Sequence, residues 1–250
     1  MAVYKEPFYY EIAFSFVNAR KQVDLFEKFI EKYSKIKVRR VLDIACGPSL
    51  QLREIAKRGY EAVGLDLSSQ MLKYLKQKAR EEEIKIETIK ANMVNFKLKK
   101  KADFAFVMMG SFRFKSNQEL LKHLNCVSNS LKKGGLYLIE NLELDWPKLS
   151  FKPQSWVMKR DGIRVKTTYK LELKDVLSQT SEENIILEVN NHGKKIKLIK
   201  KEIIKNVFPQ EFLTLVELNN KFEFLGWFER FKFKKLKRAS MDNIIILRKK

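Results

Sequence analysis

The stretch Val41-Leu42-Asp43-Ile44-Ala45-Cys46-Gly47-Pro48-Ser49, with Asp66 arriving 23 residues after Asp43, constrains this chain more than any other feature. An apolar run delivers an acidic residue, then small residues, then a helical pattern. Small side chains at Ala45 and Gly47 let the backbone approach a ligand closely. The helix that follows offers free N–H groups at the same place, and such donors suit a carboxylate or phosphate. Asp66 closes the next apolar run, Ala62-Val63-Gly64-Leu65. An ionised carboxylate only accepts hydrogen bonds and can take both hydroxyl protons of a cis-diol. An acid at about this distance binds the ribose in dinucleotide folds.

The surrounding pattern alternates helix and strand over the first 145 residues. Ala19–Lys35 places Val23, Phe26, Phe29, Ile30 and Tyr33 at a helical period. Val38–Ile44, Glu61–Asp66, Ile84–Ile89, Ala102–Met108 and Leu136–Glu140 read as strands. Leu50–Arg58, Gln70–Glu83 and Gln118–Leu131 read as helices, with Gly59 stopping the first and Ser68 or Ser69 capping the second. Crossovers of this length suit a parallel sheet, and right-handed crossovers gather the loops after the strands along one edge. An α/β, doubly wound architecture follows.

Beyond Asn141 the character changes. Trp156–Met158, Ile163–Lys170, Asn184–Val189 and Lys194–Ile203 read as short strands, separated by turn signals at Asp161-Gly162 and Asn191-His192-Gly193. Pro209–Asn220 is a helix with Pro at its start. Trp227–Phe233 and Asn243–Leu247 form a closing strand pair. Three segments are therefore expected: a core with an N-terminal helical segment at 1–145, an antiparallel β insertion after strand five at 146–205, and a return to the core at 206–250.

Composition excludes several classes. Cys46 and Cys126 give no disulfide framework, and with only His123 and His192 beside them no metal site is expected. Mean hydropathy is −0.35, and no run of about 18 uncharged apolar residues is present, so no membrane association is expected. The N-terminus lacks a signal-peptide pattern, and a cytoplasmic location fits the two cysteines. The net charge of +21 divides into +11 up to residue 140 and +10 after it. Such spreading suits a solvated surface, so a nucleic-acid partner is not favoured, although Lys97–Lys101 and Lys232–Arg238 are basic clusters.

In order and spacing, Val38–Glu140 resembles the class I S-adenosylmethionine (SAM)-dependent methyltransferases, particularly their small single-chain members. Their first motif, roughly V-L-D-x-[AG]-C-G-x-G, corresponds to Val41–Ser49. Asp66-Leu67-Ser68-Ser69-Gln70-Met71-Leu72 corresponds to their acid followed by x-S-x-x-M-L. Ala91-Asn92-Met93, Asp103–Met109 and the Lys132–Gly135 turn match further motifs. The resemblance implies a Rossmann-like methyltransferase sheet with SAM as cofactor. It further implies that Ala45 and Gly47 line the methionine part and that Asp66 binds the ribose. Leu67 and Met93 would sandwich the adenine, Asn92 would meet its amino group, Met109 would face the sulfonium, and Tyr10 would close over the ligand. Ser49 after Pro48, and Asn92, depart from the family's Gly and acid.

Other readings stand beside these. Asp43 either contacts ligand or caps the loop and helix after it. Cys46 and Met71 read as packing residues, His123 as structural or exposed, His192 as a solvent-exposed turn residue, and Arg20 as a surface arginine or a carboxylate partner. No catalytic base is assigned. The expected function is methyl transfer to a small-molecule acceptor by in-line displacement, with Trp146, Trp156, Tyr169 and Phe208 lining an apolar pocket. The alternatives are a methyltransferase acting on RNA or protein, and a non-catalytic SAM-fold binding protein. The sequence leaves the acceptor and the oligomeric state open.

Overall fold

A computed structural model describes residues 2–142 and 153–250. Trp146 and the start of the expected insertion lie outside the described residues. Before the first strand come a 3-10 turn, Ala2–Lys5, and helices α1 (Pro7–Ala13) and α2 (Ala19–Tyr33). The chain then runs β1 (Arg40–Ile44), α3 (Leu50–Lys57), β2 (Glu61–Asp66), α4 (Ser69–Glu81), β3 (Ile86–Lys90), β4 (Ala102–Val107), α5 (Asn117–Ser130) and β5 (Leu131–Glu140). Four strands follow: β6 (Gln154–Arg160), β7 (Ile163–Asp175), β8 (Thr180–Asn191) and β9 (Lys194–Lys205). Helix α6 (Pro209–Asn219) leads to β10 (Phe222–Glu229) and β11 (Asn243–Lys249).

The main sheet has seven strands in the order β10-β11-β5-β4-β1-β2-β3. Strands β1 to β5 run parallel, and β11 pairs antiparallel with both β5 and β10. Strands β1 and β4 are wholly buried, as apolar runs covered on both faces should be. One face packs against α5 and α6 through Leu120, Leu124, Phe212 and Val216. The other packs against α2, α3 and α4 through Phe26, Phe29, Leu52 and Leu75. Asn18 and Ser68 cap α2 and α4 by accepting from Lys21 N (3.0 Å) and Met71 N (3.3 Å).

The irregular first part of β5 is set by close approach. Gly134 sits at φ +83°, and a Cβ on Gly135 would lie 2.4 Å from the Asp103 carbonyl oxygen. Asp103 in turn receives the N–H groups of Arg39 (2.8 Å) and Arg40 (2.9 Å), pinning β1 to β4.

Strands β6 to β9 form a separate antiparallel sheet. The Asp161-Gly162 and His192-Gly193 turns have positive φ at both positions, the geometry of tight hairpins. The N-terminal segment packs here through Val3, Ile12 and Ala13, against Ile163, Val165, Leu187 and Val189. Trp156 Nε1 donates to the Ala13 carbonyl (2.7 Å), and Glu11 takes Arg53 of α3 (2.7 Å) and Arg160 of β6 (2.6 Å). Thus α1 joins the insertion to the core, a relation that the sequence pattern does not show.

One expected strand is displaced. The sequence predicts a closing strand at Trp227–Phe233, but β10 spans Phe222–Glu229. The chain then doubles back: Leu236 N donates to the Trp227 carbonyl (3.0 Å), and Phe233 packs edge-on to Phe29. Phe231 is left 64% exposed.

His123 of α5 is fully buried. Its Nδ1 lies 2.8 Å from the Met93 carbonyl, which only accepts, so Nδ1 carries the proton. Nε2 then accepts from the Tyr137 hydroxyl (2.6 Å). Burial lowers the His123 pKa from 6.5 to about 4. The unfolded chain therefore binds the proton first as pH falls. Stability should decline between pH 6.5 and 4, by about 3 kcal/mol in full from this group. Urea midpoints across that range should fall more steeply for the native chain than for His123→Gln; parallel curves would refute the assignment.

Candidate functional site

The carboxyl ends of the parallel strands form the ligand edge of a doubly wound sheet. After β1 the backbone turns sharply, with φ +56° at Ala45, +53° at Gly47 and +24° at Ser49. A Cβ built on Gly47 meets nothing within 4 Å, so the loop borders open space there. Left-handed backbone at Ala45 and Ser49 is costly for residues with a Cβ and is held by the surroundings. Ser49 Oγ accepts from Leu52 N (2.9 Å), capping α3, and donates to Asp43 Oδ2 (2.5 Å). Ser49 in place of glycine is thus the cap of the helix, and buried Asp43 fixes that cap. Burial pushes the Asp43 carboxyl well above its usual range, the Ser49 hydroxyl pulls it back, and nearby Asp66 raises it further.

Asp66 ends β2 directly beside this loop. Its Oδ2 accepts from Gly47 N (2.8 Å) and its Oδ1 from Ser68 N (2.7 Å). With Leu67 N also facing the carboxylate, acceptor capacity remains for a ligand. Burial raises its pKa, and the N–H groups of Ser68, Gly47 and Leu67 oppose that rise. Cys46 packs its sulfur over Gly64, where a Cβ would lie 2.9 Å from Sγ. It is a buried packing residue, as its small size suggested.

Tyr10, Ala45, Gly47 and Met109 line one cleft, together with Phe14, Val17, Asp43 and Ser111. Asp66 joins it through Gly47. Leu67, Asn92 and Met93 sit at the ends of β2 and β3, outside that lining; Leu67 is 64% exposed and Met93 is half-buried. Asn92 Oδ1 accepts from Val94 N (3.1 Å), and Ala91 N donates to the Asp66 carbonyl (3.1 Å), which ties the two strand ends together. His123 holds the Met93 carbonyl from below. The Tyr10 ring packs on Phe14 (4.6 Å between centroids) and edge-on to Tyr4 (5.9 Å), and burial raises its phenol pKa.

Two residues escaped the sequence reading. Glu140, fully buried at the end of β5, accepts from Met109 N (2.5 Å) and from Arg230 Nε (2.6 Å). It holds Met109 at φ +57°, just past the end of β4. An acid ending a buried strand was the available signal, as it was for Asp66. Among the described residues no cluster of three or more His, Cys, Asp or Glu could hold a metal ion, and no helix is long and apolar enough to cross a membrane.

A sheet of this order, with a small-residue turn after β1 and a carboxylate ending β2, defines the Rossmann-like methyltransferase class. Residues 41–135 match the family model described as "Methyltransferase domain". The chain therefore carries a segment similar to a methyltransferase domain within the Rossmann-like methyltransferase fold. The chain is 26% identical over 122 residues to a Geobacillus sp. (strain WCH70) protein provisionally named a methyltransferase, covering 47% of this chain and 49% of that one. It spans about half the length of the curated relatives it matches. Among solved structures, an S-adenosylmethionine-dependent methyltransferase from Clostridium acetobutylicum ATCC 824 aligns with a TM-score of 0.79 and 17% identity, over 96% of each chain. The sugar N-methyltransferase KedS8 from Streptoalloteichus sp. ATCC 53650 aligns at 0.72 and 16%, over 92% of this chain and 87% of that one. At these identities the structures establish the shared fold.

Proposed function

We propose that the chain binds SAM along the Ala45–Gly47 turn and transfers its methyl group to a small, polar acceptor. The observation that carries this reading is Asp66, whose oxygens have acceptor capacity left beside a turn that opens onto free space at Gly47. When bound, SAM supplies an activated methyl group on a sulfonium, so the protein's work is alignment and exclusion of water.

Each residue then has a task. Asp66 takes the ribose hydroxyls with its remaining lone pairs. Ala45 and Gly47 let the methionine portion lie against the backbone, with the first N–H groups of α3 facing its carboxylate. Leu67 and Met93 flank the adenine, and the second lone pair of Asn92 Oδ1 accepts from its amino group. Glu140 keeps Met109 turned into the cleft, where it faces the reacting methyl. The free space in the cleft is about 60 Å³, well below the ~300 Å³ at which small-molecule sites begin. Admitting SAM would require Tyr10 and Phe14 to move outward, and Tyr10 would then cover the bound ligand. A small acceptor is supported by the fold shared with sugar methyltransferases.

Calorimetry with SAM tests the first half: binding below millimolar concentration is expected, and no heat at millimolar SAM would refute it. Release of S-adenosylhomocysteine across a panel of amine- and hydroxyl-bearing sugars, with folded RNA as a parallel arm, tests the second. Turnover on RNA alone would overturn the small-molecule reading.

A further inference from the structure

Helix α1 has seven residues and no side chain capping its first turn. A helix that short does not hold itself in water, so its place is set by what it touches. Toward the insertion, Asn191 Nδ2 of β8 donates to the Tyr9 hydroxyl (3.0 Å), Trp156 Nε1 of β6 donates to the Ala13 carbonyl (2.7 Å), and Arg160 of β6 donates to Glu11 Oε1 (2.6 Å). Toward the core, Glu11 Oε2 accepts from Arg53 of α3 (2.7 Å). Burial and the Glu11 carboxylate raise the pKa of the Tyr74 phenol of α4, which lies beside it.

Glu11 is thus the joint between insertion and core. Its side chain is 4% exposed. Taking such a carboxylate and its guanidinium partners out of water costs about as much as their attraction returns, so an apolar side chain of similar volume is often no worse for stability. What the charge adds is direction: with one arginine on each oxygen, the helix is fixed in a single orientation. In that orientation Tyr10 and Phe14 wall the cleft beside Gly47. Arg53 keeps a second acid, Glu82, when Glu11 is lost, whereas among the described residues Arg160 has no other acid within ion-pair distance.

We propose that Glu11 is a positioning residue for the methyl-transfer cleft: by joining Arg53 to Arg160 it holds Tyr10 and Phe14 over bound SAM, so that the insertion governs how long SAM stays. This role rests on the reading that SAM binds beside Gly47. Arg160 is the insertion's share of the joint, and its 31% exposed side chain makes it the safer of the two to change.

Two measurements on one set of variants test this. Amide hydrogen exchange without SAM reads the hold on Pro7–Ala13. A chase of labelled SAM by excess unlabelled SAM reads its release. Glu11→Gln, which weakens both pairs, should speed exchange in α1 and release SAM about tenfold faster, and Arg160→Gln, which loses a part-exposed pair, should release it about threefold faster at an unchanged thermal midpoint. Arg160→Lys, which keeps the charge, should recover most of the native rate. Arg164→Gln, which removes the same charge from an exposed position of β7, should behave like the native chain. Native exchange of α1 in both Gln variants at 11 and 160 would overturn the proposal. So would native SAM release from chains whose α1 exchanges faster, or an equal acceleration in Arg164→Gln, which marks a general loss of charge. A native chain that binds no SAM fails the reading of the cleft and this role with it; the exchange measurement, which needs no ligand, tells that failure from a failure of the joint.

Discussion

Glu140→Ala is expected to lower stability by about 3 kcal/mol, because it removes the close counter-ion of a part-buried arginine and the acceptor of a buried backbone N–H. Glu140 has no exposed surface, and its two oxygens take Arg230 Nε (2.6 Å) and Met109 N (2.5 Å). Removing it leaves the Arg230 guanidinium, itself 18% exposed, with the longer contact to Asp242 at 3.4 Å in place of its close partner. It also frees a backbone held at positive φ, which relaxes the end of β4. Glu140→Gln keeps an acceptor for Met109 N while losing the charge, so it should fall between the native chain and alanine. Arg230→Met in the Glu140→Gln background should recover part of that loss, since the two groups act as a unit. Urea unfolding of the four proteins measures this. A Glu140→Ala loss below about 1 kcal/mol would show the pair to be no stronger than a surface contact.

The parallel core was readable because its central strands β1, β2, β4 and β5 are largely buried on both faces. Ala102–Val107 has no polar residue but Asp103, and Glu61–Asp66 is bounded by Gly59 on one side and the Ser68 cap on the other. The tight hairpins were readable where chemistry demanded it, at Asp161-Gly162 and His192-Gly193. The turn between β7 and β8 was not. It lacks glycine and is built by Asp175, whose carboxylate accepts from Leu177 N (3.1 Å) and Ser178 N (3.2 Å). The start of β8, Thr180-Ser181-Glu182-Glu183-Asn184, shows no apolar alternation, whereas Leu171 and Leu173 alternate with Glu172 and Lys174 at the end of β7; both strands run longer than expected.

The site was legible in its loop and less so in its supports. Asp66 and Gly47 announce themselves by spacing. The links that hold Met109 and the N-terminal helix around the cleft are distant in sequence: Glu140 to Arg230 spans 90 residues, and Glu11 to Arg160 spans 149. A charged residue gives no local sign that its partner is far along the chain. Arg230 sits at the head of the basic run and reads as surface. Ser49 looked like a defect in the glycine pattern, whereas its hydroxyl joins Asp43 to the first turn of α3. The residue that weakens the resemblance therefore strengthens the local fold.

Asp66→Ala should weaken SAM binding by about 1–3 kcal/mol, roughly 5- to 150-fold, the range of a lost charge-assisted pair. The structure adds a second cost. Asp66 also receives Gly47 N and Ser68 N, so alanine loosens the turn that carries the methionine half of the ligand. Asp66→Asn separates the two effects. Its single carbonyl oxygen can still satisfy one backbone N–H but cannot accept from both ribose hydroxyls, so it should restore part of the loop's order and little of the affinity. The carboxyl's raised pKa sets the pH dependence. Protonation turns an acceptor into a donor, so affinity should fall with acidification, beginning at a higher pH than an exposed aspartate would give. Calorimetry across an acidic pH series, with thermal midpoints taken alongside, measures both. An Asp66→Ala affinity within twofold of the native value, in a chain of unchanged midpoint, would remove Asp66 from the ribose site and leave it as the pin of the Gly47 turn alone.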